Sequence, residues 1–255
     1  MTSAAATILG RRELAPGVYK YLISCPEIAK SASAGQFVQV KAEGFFLRRP
    51  ISLCRIDQKA GSLVLVMEVR GEGTAVLARL GSGDTLDLIG PLGRGFALLD
   101  PGAKAVAVSG GIGLPPLCQL AAHYRAGMTV FAGFRNAAAV ILADELEGLG
   151  ARFLLATDDG SAGFHGLVTA MLEEHLARQR PDIIYACGPA PMLKAVAALA
   201  EAQGVRCQVS LEERMACGMG ACLGCACKTR TGPGEETYRH VCKDGPVFES
   251  TEVVW

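Results

Sequence analysis

Four cysteines near the carboxyl end of the sequence have a spacing that suits iron. Cys217, Cys222 and Cys225 form a C-x4-C-x2-C pattern, and Cys242 follows after sixteen intervening residues. This is the plant-type iron-sulfur spacing, in which cysteine thiolates hold a 2Fe-2S cluster. The pattern therefore predicts a 2Fe-2S cluster with these four cysteines as its metal ligands.

The residues between these cysteines are small, as a tight metal-binding loop requires. Gly218, Gly220 and Gly224 are expected to supply sharp turns, and the backbone N–H groups of the loop are expected to donate to sulfur. A structural zinc site is the alternative, but zinc sites usually contain two tight C-x2-C pairs, whereas here the first gap is longer and the last cysteine stands alone. Cys227 is left over and is predicted to be a packed thiol.

Two short motifs in the first third of the chain suit a nucleotide cofactor. The first motif consists of Arg49, Pro50, Ile51 and Ser52. It lies at the start of a predicted strand, where a fixed guanidinium can pair with a pyrophosphate and the serine hydroxyl can face a ring edge. The second is a Gly-Glu-Gly-Thr turn that ends in Gly73 and Thr74, whose N–H groups can approach phosphate. Each motif alone is a weak signal.

Two further turns follow apolar strands later in the chain. The first is a GGIG turn with Gly110, Gly111 and Gly113, and the second contains Cys187, Gly188 and Pro189. Each joins a predicted strand to a helix start, so both should lie at the carboxyl edge of one parallel sheet, where such proteins bind ligands. Prolines follow the first turn, so it departs from the G-x-G-x-x-G fingerprint. Its glycines still allow a dinucleotide to come close.

The elements that must position these residues fall into three regions. Up to about residue 100, six short segments bounded by Gly, Pro or Asp predict an antiparallel β-barrel: TILGRREL, GVYKYLISC, GQFVQVKA, RRPISLCRI, SLVLVMEV and DTLDLIGP. Five apolar strands that alternate with helices then predict an open parallel α/β sheet. The last part has little periodicity. We therefore expect a multidomain β and α/β protein with a barrel over 1–100, an α/β domain over 101–210 and a small iron-sulfur domain over 211–255.

Composition excludes several classes of partner. The chain has 25 Lys and Arg against 25 Asp and Glu, so no net field attracts nucleic acid or an anionic membrane. No stretch approaches the ~20 apolar residues of a membrane span, and the arginines near the amino end follow the apolar run, the reverse of a secretory signal. Ten cysteines, half of them after position 216, suit metal binding in a reducing compartment. We predict a cytoplasmic protein.

Taken together, these motifs resemble a known superfamily. The Arg-Pro-Ile-Ser motif, the Gly-Thr turn, GGIGLPP and YACGPAPM are similar to the ferredoxin-NADP reductase superfamily, in which a flavin-binding barrel precedes a nicotinamide-binding domain. The tail LEERMACGMGACLGCACK with HVCKDGPVF resembles more narrowly the electron-transfer subunits of type B dihydroorotate dehydrogenases. The resemblance runs over nearly the whole chain.

The resemblance implies an electron relay. In that family a separate FMN-containing catalytic subunit oxidises dihydroorotate, and electrons pass through the 2Fe-2S cluster and FAD to NAD, in pyrimidine (UMP) biosynthesis. It implies a heterotetramer of two subunits of each kind. It also places Val66, Met67 and Glu68 at the flavin, although family members often carry an aromatic-basic pair there; Arg70 is a candidate to compensate. No proton-transfer catalyst is expected in this chain.

Two other functions remain open from the sequence. One is the small subunit of an NADH-dependent ferredoxin:NADP or sulfide-dehydrogenase-like complex, whose tail can look similar. The other is a non-catalytic redox or iron sensor. In such a sensor the two predicted dinucleotide-binding motifs would have no function. Reduction of bound flavin by NADH separates the sensor from the enzymes, and the electron donor separates the enzymes from each other.

Overall fold

The amino-terminal strands close into a six-stranded antiparallel barrel. The structure is a computed structural model, and it describes residues 1–232 and 234–255. The strands are β1 (Thr2–Ala15), β2 (Val18–Ser24), β3 (Phe37–Val40), β4 (Arg49–Asp57), β5 (Ser62–Glu68) and β6 (Thr85–Leu92), in the closed order β1-β2-β5-β4-β3-β6. All six strands predicted from the sequence are present, and buried residues alternate with exposed ones along much of β1 and β6, as the pleat of a one-sided sheet requires.

Two short helices accompany the barrel, α1 (Pro26–Ala29) and α2 (Glu72–Leu77). The second is tied to the barrel wall by side chains that cap its last carbonyl groups. The Tyr21 hydroxyl donates to the Leu77 carbonyl at 3.0 Å, and Arg11 donates to the Ala78 carbonyl at 2.7 Å. These bonds satisfy carbonyl groups that have no partner within the helix. They also hold α2 against the barrel wall.

A parallel sheet follows. Its strands are β7 (Ala105–Gly110), β8 (Met128–Phe134), β9 (Arg152–Thr157), β10 (Phe164–His165), β11 (Ile183–Cys187) and β12 (Arg206–Ser210), in the order β10-β9-β8-β7-β11-β12. Its helices are α3 (Cys118–Tyr124), α4 (Ala143–Gly148), α5 (Val168–Leu176) and α6 (Ala190–Ala202). The central strands are buried on both faces, which is typical of a sheet covered by helices on each side.

The order of these strands creates a crevice. From β7 the chain moves outward through β8 and β9, and it then returns to place β11 on the other side of β7. Loops leave the carboxyl ends of β7 and β11 in opposite directions at such a switch point, and open α/β proteins bind ligands there. Both predicted dinucleotide turns follow these two strands.

The tail forms a hairpin and then returns to the sheet. The hairpin consists of β13 (Ala226–Gly232) and β14 (Glu235–His240), and β15 (Val247–Glu249) pairs antiparallel with β12. The predicted fold class is confirmed, with a barrel, a largely parallel sheet and a carboxyl-terminal unit. The sequence did not predict the hairpin or the antiparallel edge strand. Within the described residues, no helix is long and apolar enough to cross a membrane.

Candidate cofactor cleft and cysteine loop

A cleft of about 490 Å³ lies where the barrel, the sheet and the tail meet. Of the fifteen residues that the sequence places at a nucleotide cofactor, thirteen line it: Arg49, Pro50, Ile51, Ser52, Val66, Met67, Glu68, Thr74, Gly110, Gly113, Cys187, Gly188 and Pro189. The other two, Gly73 and Gly111, lie in the same turns as lining residues. Motifs that are distant in sequence thus converge on a single cavity, which has the size of a small-molecule site.

The two arginines at the start of β4 have different roles. Arg48 forms a bidentate ion pair with Asp87, with its Nη2 2.9 Å from each carboxylate oxygen. This pair stabilises the barrel. Arg49 donates to the Leu47 carbonyl at 2.6 Å, and its guanidinium lies 5.0 Å from the centre of the Phe45 ring. Among the ion pairs of the described residues, none involves Arg49. A positioned cation without a carboxylate partner at a cleft suits an anionic ligand.

The first turn of α2 fits closely around that guanidinium. A side chain at Gly73 would clash with Arg49, so this position must remain glycine for the arginine to lie where it does. Thr74 does not point a free hydroxyl at the cleft, because its Oγ1 accepts from the Arg70 N–H at 2.9 Å and donates to the Gly71 carbonyl at 2.9 Å. Thr74 therefore shapes the turn, and the candidate phosphate-binding groups are N–H groups and Arg49.

Arg70 reaches the cleft from the end of β5. Glu68 accepts from its Nε at 2.6 Å, and Glu212 lies 3.7 Å from its Nη1. The Arg70 side chain remains 58% exposed, so solvent weakens both ion pairs and leaves the guanidinium free to meet a ligand. This location agrees with the proposal that Arg70 replaces the family's basic residue at Met67-Glu68.

The two turns of the sheet pack directly on each other. Cys187 is paired with Ser109 in the β7–β11 register, so both turns begin at the same level. A side chain at Gly113 would overlap the Cys187 carbonyl group, and one at Gly110 would lie 2.8 Å from Cδ of Pro189. Glycine is required here because backbone from one turn touches backbone from the next.

The Cys187 thiol lies at the base of this junction and is expected to be unreactive at ordinary pH. Burial raises its pKa to about 12, although a hydrogen bond with Ser210 opposes the shift. Since only the thiolate is nucleophilic, Cys187 should alkylate much more slowly in the folded protein than in the unfolded chain at pH 8. Quantitative mass spectrometry with iodoacetamide measures this, and the unfolded chain is the control. Equal rates in the folded and unfolded states at pH 8 would contradict the assignment.

The four predicted cluster ligands fall into two pairs. Cys217 and Cys222 are close enough for their side chains to share a hydrogen bond, and so are Cys225 and Cys242. The second pair is buried, whereas Cys222 is exposed. In the described part of the chain, no three His, Cys, Asp or Glu side chains are arranged to hold a metal ion. Two pairs of thiols suit two irons, with one pair on each, better than one tetrahedral zinc.

Backbone N–H groups surround these sulfurs. The Cys217 sulfur accepts from Met219, Ala221 and Cys222 at 3.3–3.4 Å, the Cys242 sulfur accepts from Gly220 at 3.1 Å, and the Cys225 sulfur accepts from Cys242 at 3.4 Å. Burial by itself would raise the pKa of Cys217, but these N–H donors and the Cys222 side chain lower it to about 6. The Cys217 site therefore already favours a thiolate, which is the form that binds iron, whereas burial and the neighbouring Cys225 thiol raise the pKa of Cys242 to about 12.

One detail of this loop corrects the sequence-based prediction. Gly218 and Gly220 have positive φ angles of 71° and 85°, as expected. The third left-handed residue is Leu223, with φ 60°, rather than Gly224. A leucine in this conformation is strained. Cys227 lies buried on β13, and burial raises its pKa to about 11, so it remains a packed thiol.

Comparison with known proteins identifies the family to which this chain belongs. Residues 212–254 match the family described as the iron-sulfur cluster binding domain of dihydroorotate dehydrogenase B. The chain is 43% identical to the electron transfer subunit of dihydroorotate dehydrogenase B (NAD(+)) from Bacillus caldolyticus, over 97% of each chain. The chain belongs to the family of electron-transfer subunits of dihydroorotate dehydrogenase B. It is therefore an electron-transfer subunit of an NAD-linked oxidoreductase, as the sequence predicted.

Solved structures support the same fold. An NADH-dependent reduced ferredoxin-NADP oxidoreductase, studied for flavin-based electron bifurcation, aligns with 99% of this chain and 90% of its own at a TM-score of 0.86 and 31% identity. A ferredoxin NADP+ reductase from Neisseria gonorrhoeae aligns with 80% of this chain and 92% of its own at a TM-score of 0.66 and 21% identity, a likeness of fold alone. Family and fold together support the three predicted cofactors, FAD, an iron-sulfur cluster and NAD.

The cleft also contains residues that the sequence did not predict. Its walls also include Phe37, Ser210, Leu211, Glu212, Glu213, Met215 and Pro246. Ser210 to Glu213 continue directly from the carboxyl end of β12, so the rule that ligands bind at that edge could have found them. Phe37 and Pro246 had no such signal, because their place depends on how the barrel and tail meet.

Proposed function

We propose that this chain carries electrons from the FMN of a dihydroorotate dehydrogenase catalytic subunit, through a 2Fe-2S cluster and FAD, to NAD+ in de novo pyrimidine (UMP) biosynthesis. The observation that carries the proposal is the single cleft between barrel and sheet with two pairs of thiols beside it. Met215 lines this cleft, and the first of these cysteines, Cys217, follows it only two residues later. The two sites are therefore close neighbours.

The barrel side of the cleft is the proposed FAD site. Arg49 would pair with the pyrophosphate, with Gly73 and Thr74 forming the turn beside it, because this guanidinium is held in place without a carboxylate partner. The remaining proposed contacts are Pro50, Ile51, Ser52, Val66, Met67 and Glu68. When bound, a flavin exchanges single electrons with an iron-sulfur cluster and a hydride with a nicotinamide.

The sheet side is the proposed NAD site. The residues are Gly110, Gly111, Gly113, Cys187, Gly188 and Pro189. They lie at or next to the switch point between β7 and β11. Glycines keep side chains away from this backbone, so a flat ring can approach it. Cys187 would contribute a neutral thiol wall, since its raised pKa keeps it protonated. We assign no proton-transfer residue in this chain, because hydride transfer needs none.

The cysteine loop is the proposed cluster site, with Cys217, Cys222, Cys225 and Cys242 as ligands. One pair reaches the surface and the other is buried against the nucleotide-binding core. Met219 and Leu223 expose apolar side chains beside the surface pair, at 41% and 59% of their area. We propose that this surface receives electrons from the catalytic subunit, in an assembly of two subunits of each kind.

The proposal extends to organisation and compartment. We keep the three units of the sequence-based division, 1–100, 101–210 and 211–255, as FAD, NAD and cluster units respectively. All ten cysteines are free thiols, which suits a reducing compartment, and we propose the cytoplasm. The free thiols outside the cluster set pack mainly in apolar cores, as small hydrophobic residues.

The decisive experiment mixes this subunit with its cognate catalytic subunit under anaerobic conditions and follows NADH formation at 340 nm after addition of dihydroorotate. Dihydroorotate-dependent NADH formation is expected only when both subunits are present. Light scattering of the mixture measures the stoichiometry. If the mixture forms no NADH although each subunit carries its cofactors, the assignment to dihydroorotate oxidation is wrong.

A second candidate function has one specific observation in its favour. The NADH-dependent ferredoxin-NADP oxidoreductase structure covers nearly the whole chain at 31% identity. This chain would then exchange electrons with a ferredoxin-linked partner rather than a dihydroorotate-oxidising one. NADH-dependent reduction of ferredoxin, in the absence of any reaction with dihydroorotate, would favour this second function.

A further inference from the structure

Gln39 lies at the boundary between the barrel and the cysteine loop. Its neighbours on β3, Val38 and Val40, pack inside the barrel core. Phe37, two residues away and on the same face of the strand, belongs instead to the apolar cluster that covers the central sheet and the tail. Gln39 therefore points out of the barrel and toward the cysteine loop, and its side chain has no exposed surface.

The amide of Gln39 has no hydrogen-bond partner among the described residues. Both Nε2 and Oε1 are buried and unpaired. A primary amide offers two donors and an acceptor, and leaving such a group unsatisfied in the interior is destabilising. Other glutamines of this chain are satisfied: Gln36, for example, donates to the Gly93 carbonyl at 2.8 Å and accepts from Ser33 at 2.8 Å.

The unpaired amide touches the loop that holds the sulfurs. A side chain at Gly218 would overlap Nε2 of Gln39, so the amide lies directly against the residue that follows Cys217. The φ of Gly218 is 71°, a conformation that further favours glycine, so the loop leaves this approach open. Sulfur atoms with negative charge are the acceptors that a bound cluster would bring to this loop.

We propose that Gln39 donates a hydrogen bond from its side-chain amide to the iron-sulfur cluster and so raises the cluster's reduction potential. The inference rests on the proposed cluster site and adds a residue from the barrel to it. Hydrogen bonds to cluster sulfur stabilise the reduced, more negative state of the cluster. A barrel residue would thus set the cluster's tendency to accept electrons.

Gln39→Leu in the full cofactor-loaded subunit tests the proposal. Removal of one donor should shift the one-electron reduction equilibrium about tenfold toward the oxidised cluster, which is ~59 mV lower in potential. An anaerobic redox titration followed by electron paramagnetic resonance measures the shift. Gln36→Leu is the matched control and should leave the potential unchanged, because Gln36 is already bonded to backbone. An unchanged potential in Gln39→Leu, with full iron content, would mean that buried water satisfies the amide instead.

A measurement on the unmutated protein covers the case in which the variant fails to bind iron. Cell-free synthesis can place 15N only in glutamine side-chain amides, and pulsed electron paramagnetic resonance of the reduced cluster should then detect coupling to one such nitrogen. A well-formed cluster signal without 15N coupling would overturn the role of Gln39 and leave the proposed function intact. If the reduced protein shows no cluster signal at all, the cluster site itself fails.

Discussion

Cys222→Ser should remove the iron-sulfur cluster and abolish dihydroorotate-dependent NADH formation while NADH still reduces the bound flavin. Cys222 is the exposed member of the surface pair of thiols, and its side chain lies within hydrogen-bond reach of Cys217. Loss of a direct ligand should lower the complete activity by more than about 100-fold, which exceeds the effect of residues that only support ligands. Iron analysis, the dihydroorotate assay and stopped-flow flavin reduction measure the three outcomes.

The structure explains why the flavin half-reaction should survive. The tail is anchored through β15 on the central sheet, independently of the loop, so the cleft keeps its walls when the loop loses iron. Cys227→Ser is the matched control, since this buried thiol lies only two residues beyond Cys225 and should leave the iron content unchanged. If Cys222→Ser also loses flavin reduction by NADH, cluster and cleft are a single folding unit.

Arg49→Ala should weaken FAD binding by about 100-fold, because a charge-assisted pair with a phosphate contributes roughly 3 kcal/mol and each 1.4 kcal/mol is a factor of ten. The guanidinium is held at the cleft by the Leu47 carbonyl and the Phe45 ring without a competing carboxylate. The ratio of flavin to protein after gel filtration, and fluorescence titration of the apoprotein with FAD, measure the loss.

Two further variants separate this role from general destabilisation. Gly73→Ala should weaken FAD binding although it removes no polar group, because its new methyl displaces the Arg49 guanidinium. Arg48→Ala should instead lower the melting temperature and retain FAD, since Arg48 is committed to Asp87. If Arg48→Ala loses FAD and Arg49→Ala keeps it, the two arginines have been assigned the wrong roles.

Much of the fold follows from local signals in the chain. Gly, Pro or Asp marks most ends of the six barrel strands, and the helical face of Leu117, Leu120, Ala121 and Tyr124 is buried as its spacing predicts. The helix α4 was harder to foresee, because it is short and begins after Leu142 in a left-handed conformation. The β13–β14 hairpin was missed because its strands are largely polar and pack on the core through few side chains.

The site was predictable where its chemistry is local and unpredictable where it depends on contact between distant segments. The C-x4-C-x2-C spacing and the glycine turns each carry their own signal within a few residues. Gln39 carries none: a glutamine on a barrel strand normally faces water, and only the tail, which comes almost 180 residues later, buries it. The ion pair that commits Arg48 to the barrel was also not predictable, because its partner Asp87 lies on β6, two strands away from β4.

The return of the tail to the central sheet has a consequence for biosynthesis. Strand β15 is synthesised after both β12 and the cysteine loop, so β12 keeps an unpaired edge until β15 has left the ribosome. The four proposed ligand cysteines lie between β12 and β15. The segment that carries them is fixed to the sheet at both ends only when β15 pairs with β12. A nascent chain that stalls before this point would expose both the unpaired edge of β12 and the four proposed ligand thiols. Premature termination here should therefore produce an aggregation-prone fragment.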